Sequence, residues 1–154
     1  MMKMRSFFFK NIQKPFCAGL AVLFLILFTG NVANAQKSAI SFTISMNDTA
    51  SHTFHLRMNC EGFRQTTLDF KMPVWTPGYY QRLDFADHVE NFQATGNREN
   101  KLTWEKTAGN TWRVQCENEP AFTLEYDVKT TRSFVATPYL DKDRGYILPA
   151  GVFL

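Results

Sequence analysis

The chain is predicted to be an all-β protein, an antiparallel β-sandwich of about eight strands preceded by a helical signal peptide. Three observations carry this reading. Apolar residues alternate with polar ones along most of the chain after residue 36, the period-two signature of half-buried strands. Turn-forming clusters separate these runs at short, regular intervals. No stretch there sustains helical periodicity.

Ahead of the strands lies a leader. Lys3, Arg5, Lys10 and Lys14 form a positive segment, Phe16 to Phe28 (FCAGLAVLFLILF) an apolar core, and Ala33-Asn34-Ala35 a small-residue cleavage site. The apolar run is 13 residues long, whereas a spanning helix needs about 20. Residues 1–35 therefore read as a secretory signal, and the protein as exported, to the periplasm or beyond, with no stable membrane anchor after cleavage. Cleavage changes the charge. The whole chain carries +3, but the leader holds four of its 17 basic residues and none of its 14 acidic ones, which leaves −1. The remainder has no basic run, so a nucleic-acid partner is not expected.

Residues 36–154 form one domain with no internal repeat or linker. Ile40, Phe42, Ile44 and Met46 alternate along a first strand, and Asn47 to Ser51 turn the chain. His52 to Cys60 repeat the alternation, Glu61-Gly62-Phe63 break it, and Leu68, Phe70 and Met72 share one face of the next strand. Further strands are expected at Leu83 to Ala94 and Lys101 to Lys106. Thr107-Ala108-Gly109-Asn110 then connects a hairpin into Thr111 to Cys116, and Ala121 to Thr130 alternate again. Gly145 to Leu154 read as a last, apolar strand, so the domain is expected to be incomplete at its C-terminus.

Cys60 and Cys116 each fall on the apolar face of a strand. In an oxidising compartment they are a candidate disulfide, which in the chain-entropy model would contribute about 4 kcal/mol. Two buried free thiols are the slightly favoured alternative, because sequence does not place two Cβ atoms within reach.

Chemistry-bearing motifs are sparse. His52 and His55, three apart on one strand, point to opposite faces, and His88 has no fixed distance to either, so three surface histidines outweigh a zinc site. Neither H-E-x-x-H nor G-x-S-x-G occurs. Asp141-Lys142-Asp143-Arg144-Gly145 reads as a solvated turn, with too few acids for a calcium loop. No catalytic residue, metal ligand or cofactor is expected in this chain.

The aromatics carry more. Trp104 and Trp112, on two arms of one hairpin, are expected to pair in the core. In Met72-Pro73-Val74-Trp75-Thr76-Pro77-Gly78-Tyr79-Tyr80, Pro73 ends ladder bonding. Pro77 and Gly78 then fit positions i+1 and i+2 of a type II turn. The result is a rigid corner displaying Tyr79 and Tyr80, suited to a packing wedge or to a contact surface.

This corner and its surroundings also carry a family resemblance. Leu68-Asp69-Phe70-Lys71 leading into MPVWTPGYY, then Asp84-Phe85-Ala86 and His88-Val89-Glu90-Asn91-Phe92, resemble the N-terminal domain of the glycyl aminopeptidases, metallopeptidase family sixty-one. Asn110-Thr111-Trp112-Arg113-Val114 resembles the hairpin strand that follows in that family. Leu140-Asp141, Gly145-Tyr146 and Val152-Phe153-Leu154 resemble the segment before its catalytic domain. The family often has Ser at the place of Tyr79, and Asn-Gly at the place of Leu148-Pro149. The resemblance implies a non-catalytic β-domain packed on a zinc aminopeptidase domain that this chain lacks, with zinc belonging to the complete enzyme. It further implies that the β-domain helps shape the cleft for a peptide substrate, with Tyr79, Tyr80, Arg82 and Tyr146 as candidate substrate-binding residues. The alternative, from the aromatic corner itself, is a stand-alone secreted module binding peptide or carbohydrate.

Overall fold

The structure, a computed structural model, describes residues 37–117, 119–130 and 134–154. The expected signal peptide lies outside the described residues. The domain is all-β, with no α-helix among the described residues and two antiparallel sheets facing each other across one core. No helix among the described residues is long and apolar enough to cross a membrane.

The first sheet has strand order β1-β2-β7-β4, built from Ala39–Ser45, Thr53–Glu61, Ala121–Lys129 and Val89–Gly96. The second has order β3-β6-β5, from Thr67–Lys71, Thr111–Gln115 and Trp104–Ala108. A small hairpin, β8 (Tyr139–Leu140) with β9 (Gly145–Tyr146), closes the fold. Register follows the apolar alternation: Phe54, Leu56, Met58 and Cys60 stand opposite Val128, Tyr126, Leu124 and Phe122, and all eight are buried. A one-residue slip would send each of these side chains to the solvent face, so the pairing is strongly specified.

Three expectations are corrected. Leu83 to Ala94 is not one strand, because Phe85–His88 form a 3₁₀ turn that buries Phe85 and Ala86 before β4 begins at Val89. The strand expected from Lys101 begins at Trp104, with Lys101 held by one bridge to Thr95. The terminal strand is a two-residue β9 followed by a 3₁₀ turn at Pro149–Gly151. Pro149 sits at the start of that turn, where its fixed φ suits a helix and its missing N–H costs nothing.

Trp104 and Trp112 share a face but are not direct partners. Trp104 stands opposite Val114 and Trp112 opposite Lys106, and Phe92 of β4 joins the two indoles. Its ring lies edge-on to Trp104 at 4.8 Å and stacks on Trp112 at 5.6 Å. This aromatic column ties the two sheets together.

Cys60 and Cys116 come from opposite sheets and are unbonded, both buried. Burial, and secondarily the neighbouring Cys116, pushes the Cys60 thiol up to about 12, and burial also raises Cys116. Thiolate is the reactive form. Residues 36–154 should therefore resist alkylation at pH 8 in the native state, with two thiols reacting once the chain unfolds. Mass spectrometry after denaturation without reductant checks this, and recovery of no reactive thiol would instead establish the bridge.

Candidate cleft-lining corner and the groove beside it

The corner begins where β3 stops. Met72, fully buried, is held through both backbone groups by the β5–β6 turn: its N–H donates to Asn110 O at 3.0 Å, and its carbonyl accepts from Asn110 Nδ2 at 2.8 Å. Pro73 has no donor to continue the ladder, and the chain leaves the sheet. The Leu83 N–H donates to Val74 O at 2.7 Å, so residues 74 to 83 form a loop with joined ends. Within it the Tyr79 N–H donates to Thr76 O at 3.1 Å, and Gly78 adopts φ +85°. This is the geometry that Pro77-Gly78 announces in the sequence. A Cβ at Gly78 would meet nothing within 4 Å. The Gly78→Ala cost is then purely conformational, about 1 kcal/mol, and thermal melting of the two proteins measures it.

The two tyrosines of the corner divide the roles left open by the sequence. Tyr79 is half-buried, its ring edge-on to Phe134 at 5.4 Å and its hydroxyl donating to Gln81 Oε1 at 3.0 Å. Tyr80 is 95% exposed, and Trp75, flanking the other side of the Thr76–Tyr79 bridge, is 53% exposed. Tyr79 is the wedge, and Tyr80 with Trp75 forms the displayed surface.

Arg82 follows on the same loop, its Nε donating to Asp84 Oδ1 at 2.7 Å. That carboxylate holds the guanidinium in its charged form, raising it above its ordinary value. Arg82 lines one wall of a groove of about 460 Å³ whose other residues include Asp87, His88, Lys129 and Gly151. Nothing in the sequence joins these four. They come from the 3₁₀ turn, the end of β7 and the C-terminal turn, and no spacing signal links such distant segments.

Tyr146 stands apart. It is exposed on β9, opposite Tyr139 in register, and among the described residues no hydrogen bond or ring contact joins it to Tyr79, Tyr80 or Arg82. Its hairpin is closed by Asp141, which accepts from Tyr139 Oη at 2.6 Å and from the N–H groups of Asp143 and Arg144 at 2.8 Å each. These donors, the Tyr139 hydroxyl foremost, lower the Asp141 carboxyl to about 2. A depressed carboxylate stabilises the hairpin above its unfolded pKa, and the effect is lost as pH falls through the folded value. The Asp143 and Arg144 amide resonances should accordingly shift with a midpoint near pH 2, well below that of a free aspartate.

The outer face of the first sheet carries a polar row. Asp127 accepts from His55 Nδ1 at 2.6 Å and from Asn91 Nδ2 at 2.7 Å, and Arg57 Nε donates to Glu125 at 2.9 Å. These are cross-strand pairs that satisfy one another on a solvated face. His52 is turned away from His55, with its Nδ1 2.6 Å from Leu140 O. Among the described residues no group of three or more His, Cys, Asp or Glu is arranged to hold a metal ion. The described residues therefore do not fit zinc.

Residues 41–154 match the model of the Peptidase M61 N-terminal domain. The chain belongs to that family. Among solved structures, an aminopeptidase N family protein from Idiomarina loihiensis shares the fold, with a TM-score of 0.69 at 23% identity. The similarity covers 74% of this chain and 19% of that one, so the chain spans about a fifth of the length of this solved relative. No curated protein matches it significantly. The M61 match begins within β1 and runs through the C-terminal turn, so corner, groove and closing hairpin all lie inside the M61 N-terminal domain.

Proposed function

We propose that this M61 N-terminal domain is the exported, non-catalytic part of a glycyl aminopeptidase-like zinc metallopeptidase, and that its aromatic corner forms one wall of the peptide cleft. The observation that carries the reading is the exposure of Tyr80 and Trp75 on a loop whose backbone is fixed at both ends. A rigid, exposed aromatic surface is suited to contacting a second body, at little entropic cost. Arg82 and the groove extend this surface. Zinc and the groups that activate water belong to the catalytic domain, where the metal polarises the scissile carbonyl.

The test joins this chain at Leu154 to the zinc domain of an M61 enzyme and follows glycine release from glycyl peptides. The joined protein should be active and lose activity on chelation, and Tyr80→Ala with Trp75→Ala should raise KM about tenfold with kcat little changed. An unchanged KM would remove the corner from the cleft. A second reading rests on the same two rings, namely an independent module for peptide or carbohydrate. It requires the chain alone to bind such a ligand, and Tyr80→Ala to abolish binding without lowering the melting temperature.

A further inference from the structure

The two layers of the sandwich are unequal, four strands against three. Ring contacts between the layers run from β3, β5 and β6 to β7 and β4: Phe70 meets Phe122 at 6.1 Å, and Trp104 and Trp112 meet Phe92. Among the described residues none of these contacts reaches β1. Yet β1 turns the same face inward as its neighbour, since Ile40 and Phe42 stand opposite Cys60 and Met58, which are buried. Ile40 remains 48% exposed, Phe42 37% and Met46, just past the strand, 43%. A core-facing row is thus left partly uncovered, and an apolar strip of this kind marks an interaction surface.

Part of its cover is already present. The Phe153 ring lies 4.5 Å from that of Phe42, and a Cβ at Gly145 would stand 3.7 Å from Met46 Sδ. Both Phe153 and Leu154 are only partly buried.

We propose that the inward face of β1, together with Phe153 and Leu154, is the surface on which the zinc domain of the complete metallopeptidase packs, through an apolar segment of that domain. This rests on the function proposed above. Three observations select that occupant. The strip is made of Ile, Phe, Met and Leu side chains, so it takes an apolar partner. The fold makes up 19% of the solved relative's chain, which leaves most of that protein outside it. A polypeptide running on from Leu154 would start inside the strip, and a short tether raises the effective concentration into the millimolar range. A second copy of this chain has no such tether.

Methionine oxidation reads the surface directly, because sulfoxide formation follows exposure. Met46 is exposed, while Met58 and Met72 are buried and serve as controls for folding. In hydrogen peroxide, with mass-spectrometric readout, Met46 of the chain alone should oxidise about tenfold faster than either control. In the chain joined to an M61 zinc domain its rate should fall by about tenfold. Phe42→Ser in the joined protein should restore Met46 oxidation while Met58 and Met72 stay protected. Unchanged Met46 reactivity on joining overturns the proposal, as does concentration-dependent protection in the chain alone, which would indicate a second copy. A joined protein that releases glycine with Met46 still reactive removes this surface and leaves the proposed function standing. Protection without activity does the reverse.

Discussion

Phe92→Ala should destabilise the domain more than any other substitution considered. Phe92 is 8% exposed and touches rings on three other strands, Trp104 of β5, Trp112 of β6 and Tyr126 of β7. Truncation removes its buried area and leaves a cavity between the sheets that rigid neighbours fill poorly. Such changes cost about 3–5 kcal/mol. For a domain of this size the melting temperature should fall by roughly 10–20 °C. Loss of the near-ultraviolet aromatic signal in parallel would show that the column is what melts. Phe92→Leu, which keeps most of the volume, should recover a large part of the loss. A fall of less than about 1 kcal/mol for the alanine variant would mean that the sheets are not held together by this column.

Gly151→Ala is the second large effect, and it arises from crowding. A Cβ there would stand 2.8 Å from Phe85 Cδ1 on one side and 2.8 Å from Pro138 Cδ on the other. A ring wedged in the core and a proline cannot swing aside as a flexible side chain would. The expected cost is about 1–3 kcal/mol, read from denaturant unfolding. Gly151 lines the groove that Arg82 also lines, so in the joined enzyme this variant should disturb peptide binding along with stability. Gly109→Ala is the matched control, since nothing lies within 4 Å of its Cβ position.

The sequence-based expectations succeeded where one local rule decides the outcome. Alternation located β2 and β7 closely, because every second residue of each is buried by the same partner sheet. Pro77-Gly78 fixed the turn, since only positive φ at the second position closes it and glycine supplies that freely. Four blocks along the chain carried a resemblance that the family match over residues 41–154 bears out. Alternation failed at Leu83 to His88 and at Leu148 to Leu154. There, apolar residues reach the core through 3₁₀ turns, in which the spacing of buried positions no longer reports a strand. The candidate site divided the same way. Tyr79, Tyr80 and Arg82 belong to one loop and could be read together. The groove could not, because Asp87, Lys129 and Gly151 are brought together only by long-range packing.

The amino-acid sequence by itself determined the all-β class, the corner and the family, because each is written in spacing within a few residues or in blocks that stand in order. Only the tertiary structure decided which tyrosine is buried and which displayed, that Phe92 stands between the two tryptophans, and that β1 keeps an apolar face partly bare. Those outcomes depend on how many strands stand in each layer and which lies opposite which. That is a property of the whole packed chain, and no single stretch of it encodes the answer.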